Sequence, residues 1–215
     1  MERKEKSVET HLTSTEDRPT RDKIVVAALQ EFAAYGKEGA RVDRIARTAG
    51  VNKAMIYYHF HSKDNLYIEV VTSFFHDMLR QVRGQVLDTN DLAEAMQIMA
   101  RRHVEVFLED NPIRAIMLRE LVDPHPEVIS AIADVFTSTG LPQKIMALVE
   151  QGTQEGRYRT IDLRQTLAAF VCMSLGYFII APVLDMTLGI QDRAAFAKER
   201  QTVIVDLFLN GLKVR

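Results

Sequence analysis

Apolar residues recur along nearly the whole chain at spacings of three and four, the period of an α-helix with one buried face, and no stretch settles into the alternation of a half-buried strand. Ile24, Ala27, Ala28 and Phe32 predict a helix over residues 20–36, with Thr20 as N-cap and Gly36 as its stop. Val42, Ile45, Ala46 and Ala49 predict a short helix over 42–49, ended by Gly50 where a left-handed residue is wanted. Asn52 caps a third helix over 53–60, and Ser62 caps a fourth. Further helices are predicted over 63–83, 91–109, 112–121, 126–137, 142–155, 162–184 and 192–213. Gly84, Asn90, Pro112, Pro124, Pro126, Gly140, Pro142, Gly156 and Gly189 punctuate them. The fold class is all-α: an N-terminal three-helix head over 20–66 on a larger helical body over 67–215. Residues 1–19, polar and without apolar period, are expected to be a flexible tail.

The chain has 215 residues, 47% of them apolar, ample for a buried core. One stretch, 165–184, carries no charge and has the length of a membrane span. It contains Gln165, Ser174, Gly176 and Pro182 and lacks flanking aromatic and basic belts, so a helix buried on most sides is the expectation and a membrane is not. A lone cysteine, Cys172, excludes an internal disulfide and reads as a small buried hydrophobe. With no leader pattern at the N-terminus, the cytoplasm is the expected location.

Charge changes the picture once it is divided along the chain. The net value is −2, yet residues 20–66 carry eight Lys/Arg against five Asp/Glu. A mildly basic head on an acidic body is compatible with phosphate binding. Two short helices joined by Ala49, Gly50, Val51 and Asn52 match a helix-turn-helix, whose second helix enters the DNA major groove. Ile45, Ala46, Val51, Ile56 and Phe60 lock the pair against the first helix, which leaves Lys53, Ala54, Met55, Tyr57, Tyr58 and His59 to face outward. Enzyme chemistry lacks its parts. There is no Gly-rich phosphate loop, no nucleophile elbow, no His-Glu-x-x-His and no close-spaced metal-ligand pair, so neither a metal nor a cofactor is expected.

Ile45 and Ala46, then Ala49 to Val51, then Ile56 to Phe60, then Ser62, Lys63 and Leu66 resemble the TetR/AcrR family signature over about a quarter of the chain. The resemblance implies that Lys53, Ala54 and Met55 face the groove, that Tyr57 and His59 meet phosphate, and that Lys63 meets phosphate at the start of the fourth helix. Tyr58 either joins them or packs against the first or fourth helix, and His59 is alternatively a helix-terminal cap. Where the family often has Ser or Thr at the start of the second helix, this chain has Arg41 and Val42, so Arg41 takes over that phosphate contact. Asp43 stands where some relatives present a cation, which makes Arg44 the expected cation of that helix.

The resemblance further implies a homodimer on a palindromic double-stranded operator, the last two helices packing on their symmetry mates through Phe196, Val203, Leu207, Phe208 and Gly211. It also implies a body pocket for a small-molecule effector, with Phe74, Met78, Met99, His103, Phe107, Met117, Met146, Phe170, Met173 and Tyr177 as candidates. The expected function is a ligand-responsive transcriptional regulator, a repressor released by its effector. The competing reading is a helical ligand-binding scaffold without DNA function, for which the block from Lys53 to Lys63 is coincidence.

Overall fold

The computed structural model describes residues 20–108 and 111–214, so the tail expected over 1–19 lies outside them. The described residues form α1 (Thr20–Gly39), α2 (Val42–Ala49), α3 (Lys53–Phe60), α4 (Lys63–Asp88), α5 (Leu92–Leu108), α6 (Ile113–Val122), α7 (Pro126–Ser138), α8 (Leu141–Gln154), α9 (Leu163–Leu188) and α10 (Arg193–Leu212). No strand occurs among them beyond one isolated bridge between Tyr158 and Lys213.

The head is built on apolar side chains that the helical period places inward. Ile24, Ala28 and Phe32 of α1, Ile45 and Ala46 of α2, and Ile56 and Phe60 of α3 are all buried. Gly50 ends α2 with φ 67° and ψ 32°, its N–H reaching back to α2 carbonyls. That left-handed turn costs a β-carbon residue energy and glycine almost none. Asn52 then accepts from the Ala54 N–H at 2.9 Å and Ser62 from the Asn65 N–H at 3.0 Å, as their capping roles require.

Three boundaries differ from the pattern, one of them the end of α9, which runs to Leu188 rather than 184. Gly36 has φ 70°, but the chain resumes a helical turn beyond the kink and α1 ends at Gly39. Gly84 does not end α4, which continues to Asp88. A mid-helix glycine costs about 1 kcal/mol, less than is gained by burying Leu79, Val82 and Val86 on either side of it.

In the body, α4 packs against α7, α5 and α8, while α10 lies along α5. A second, smaller apolar cluster joins Val104, Tyr177, Ala181 and Ala197. α9 is long and apolar enough to cross a membrane by composition, yet only 22% of its most apolar window is buried within the chain. It is apolar on all sides, so its pattern does not say which face turns inward. Cys172, expected to be buried, is exposed for this reason.

Candidate nucleic-acid interface

The outward face of α3 presents Lys53, Ala54, Met55, Tyr57 and Tyr58, all exposed, while Ile56 and Phe60 hold the opposite face in the core. Tyr58 is 74% exposed, which removes the alternative of packing against α1 or α4. His59 is half-buried, with its ring 5.1 Å from that of Tyr58 and its Nε2 buried without a hydrogen-bond partner among the described residues. The turn after α3 is made by His61, at φ 65° and donating its N–H to the Tyr57 carbonyl at 2.9 Å.

Lys53 does not stand alone. Its Nζ pairs with the Asp43 carboxylate at 2.9 Å across the helix-turn-helix, and that hydrogen bond raises the Lys53 pKa above the ordinary lysine value. Asp43 is thus a partner for the first lysine of α3, which accounts for an acid on this face. Lys63 is half-buried and reaches the Glu38 carbonyl at 3.3 Å.

Arg44, expected to be the presented cation of α2, is held inside the head. It pairs with Glu31 at 2.6 Å, donates to the Gly39 carbonyl at 3.0 Å and lies 4.1 Å over the Tyr35 ring. Burial pushes the Glu31 carboxyl up, but the hydrogen bonds from Arg44 and the Arg41 backbone outweigh it, and its pKa lies below the ordinary value. Arg41 is exposed and uses its N–H, at 2.8 Å, on the same carboxylate. Arg47 is a further cation of α2 that the expected set leaves out. It is exposed one turn beyond Asp43, and the i,i+4 spacing puts both on the face that meets Lys53.

A second set of polar contacts ties this head to the body. Arg119 of α6 donates through Nη1 to the Phe32 and Ala33 carbonyls at 2.9 and 2.8 Å, near the C-terminal end of α1. Tyr67 donates to the buried Glu120 carboxylate at 2.7 Å, and the His125 backbone and ring close on the same group. Burial, reinforced by Glu120, pushes the Tyr67 phenol far above its ordinary pKa. Lys37 bridges Asp64 at 3.3 Å and Glu127 at 2.7 Å; burial would lower its pKa, but the two carboxylates outweigh that and raise it. No spacing rule could have found the links made by Lys37, Tyr67 and Arg119, whose partners lie 27 to 90 residues away in the chain.

The body holds an apolar cavity of about 190 Å³ between α4, α5, α6, α7 and α9. Of the expected pocket residues, Phe74, Met78, His103, Phe107 and Met117 line it, joined by Phe75, Val106, Leu121, Phe136 and Leu175. The other five lie elsewhere. Phe170 packs on Phe208, Tyr177 belongs to the second cluster, Met99 and Met173 pack on the main core, and Met146 is exposed on α8. Helical period told which of these side chains turn inward, Met146 excepted, but not which gap stays unfilled. Among the described residues no cluster of His, Cys, Asp and Glu could hold a metal ion.

The interface residues expected on the last helices divide in two. Val203, Leu207 and Gly211 are exposed at i, i+4 and i+8 of α10. Phe208 is buried against Phe170, and Phe196 packs partly buried on Tyr177, so both belong to the chain's own core. On α9, Cys172, Ile179, Val183 and Met186 form a second exposed stripe at i, i+7, i+11 and i+14.

Residues 24–70 match the family described as bacterial regulatory proteins, tetR family. The chain is similar to the HTH-type transcriptional repressor NicS of Pseudomonas putida, 30% identical in an alignment that covers 90% of this chain and 92% of that protein. It is also similar to the HTH-type transcriptional regulator RutR of Escherichia coli K12, 25% identical over 89% of this chain and 90% of the relative. Its fold is that of the transcriptional regulator FadR from Bacillus subtilis, solved in complex with stearoyl-CoA. The TM-score is 0.70 at 18% identity, over 88% of this chain and 98% of that one.

Proposed function

This chain belongs to the TetR family of bacterial regulatory proteins and is a ligand-responsive DNA-binding transcriptional regulator, and on that premise we propose that it is a homodimeric repressor released from a palindromic operator when an effector fills the body cavity. The observation that carries the reading is the outward face of α3, where Lys53, Met55, Tyr57 and Tyr58 project from a helix anchored by Ile56 and Phe60. Lys53 is suited to guanine O6 and N7 and Met55 to a thymine methyl, whereas Tyr57, Arg41 and Lys63 are suited to phosphate, which positions without reading sequence.

The exposed apolar stripes on α9 and α10 support a twofold dimer. Scattered exposed apolar residues need no partner, but two regular stripes on consecutive helices do. Such a dimer sets two recognition helices about 34 Å apart, one turn of the duplex. The function needs no catalytic step and places the protein in the compartment that holds its DNA.

Release follows from shared helices. The cavity touches α4 through Phe74, Phe75 and Met78, and α6 through Met117 and Leu121. α4 begins at the end of the head, and α6 carries Arg119 and Glu120, which bind α1 and α4. A ligand that binds one arrangement of α4 and α6 better than the other shifts the equilibrium between two spacings of the heads by that difference in affinity and no more.

The reading is tested by anisotropy of a labelled duplex at increasing salt. It expects log affinity to fall linearly with log salt, by about 0.9 per phosphate contact. A flat salt response, with no preference over random duplex, would overturn it.

A further inference from the structure

The body cavity carries more than a location. Its wall is apolar, with rings from Phe74, Phe75, Phe107 and Phe136 and thioethers from Met78 and Met117, and His103 is the one lining residue whose side chain carries nitrogen. His103 is 8% exposed, and its Nδ1 has no hydrogen-bond partner among the described residues. An unsatisfied buried nitrogen is disfavoured, and an apolar side chain there would remove the penalty. A ligand group that completes the hydrogen bond explains why an imidazole occupies a wall otherwise built of hydrocarbon and sulfur.

We propose that the effector is a small, uncharged molecule about the size of one aromatic ring, bearing a single hydroxyl or carbonyl that hydrogen-bonds to His103. Size follows from the volume. An apolar cavity of about 150 Å³ accepts benzene, so about 190 Å³ leaves room for one polar substituent and none for a long acyl chain. Neutrality follows from the wall, where no Arg or Lys stands to compensate a carboxylate. Burial pushes the His103 pKa down to about 4, so the ring is neutral at physiological pH. A neutral ring has one donor and one acceptor, which a hydroxyl satisfies in either tautomer. Leu121, half-exposed, stands at the rim on the α6 side and marks the way in. The inference rests on the chain being a ligand-responsive regulator, and its test separates the two.

Phenol, toluene and benzoate are titrated into the full chain near neutral pH by calorimetry, with and without a duplex selected for binding. Phenol is expected to bind at least tenfold more tightly than toluene, benzoate not to bind, and phenol to release the duplex. In His103→Leu the preference for phenol falls below twofold while toluene still binds, which shows that the variant keeps its fold and cavity. Equal binding of phenol and toluene by the parent, tightest binding of benzoate, or no binding of any of the three overturns the ligand class. Phenol binding that leaves the duplex bound overturns the effector role. Phenol preference in a chain that selects no duplex supports the ligand class and overturns the regulator reading instead.

Discussion

At the scale of single residues, Lys53 and Asp43 form a charge pair on the proposed recognition surface. At 2.9 Å on an exposed surface the pair contributes little to stability. It holds the lysine at the start of α3, where a guanine or a phosphate can replace the carboxylate. Lys53→Ala is expected to cost about 1–3 kcal/mol at the base pair it reads and to relax preference there. Lys63→Ala is expected to weaken all duplexes evenly and to lower the salt slope by about one. Affinities for a selected and a scrambled duplex check both. The outward direction of α3 was legible because Ile56 and Phe60 repeat at i and i+4. The capture of Arg44 by Glu31 was not, because it depends on how α1 and α2 cross. His103 gives a second expectation. Above about pH 6.5 it is neutral whether folded or unfolded. As pH falls below its unfolded value of 6.5, the unfolded chain binds a proton that the folded one refuses down to about 4, so stability declines across that window. The lost stability is about 3 kcal/mol by the end of it. Urea unfolding of His103→Leu at fixed protein concentration is expected to show that decline removed, with no loss near neutral pH.

Among the helices, α6 is the short piece that touches both sites. Met117 and Leu121, four residues apart, face the cavity, while Arg119 points the other way onto two α1 carbonyls. Arg119→Ala is expected to leave duplex affinity within a few-fold of the parent and to lower the drop in affinity that ligand produces by about tenfold. Duplex titrations with and without ligand read that coupling, and an unchanged drop would exclude α6 as a carrier. Helix type and order were legible from apolar spacing and caps, down to Gly50 and Asn52. Ends were less so where burial outweighed propensity. Gly84 reads as a stop in isolation, yet α4 runs through it because its flanking side chains are buried against α7 and α8.

For the whole molecule, the exposed stripes of α9 and α10 are the proposed seam of a dimer. The sequence showed that both helices are apolar, but not that Phe208 is spent on the chain's own core while Val203 and Leu207 remain outside. A charge in the seam is left without a partner because the stripes that would meet there are apolar. Val183→Asp is therefore expected to give a folded monomer by analytical ultracentrifugation, with duplex affinity lowered at least a hundredfold through loss of the second half-site. The most direct measurement of the account as a whole is selection of bound sequences from a random duplex library by the parent chain, with the mass of the bound species determined alongside. The account predicts an inverted repeat with half-sites about one helical turn apart, bound by two chains. Enrichment of no sequence, or of a single half-site bound by one chain, would contradict it.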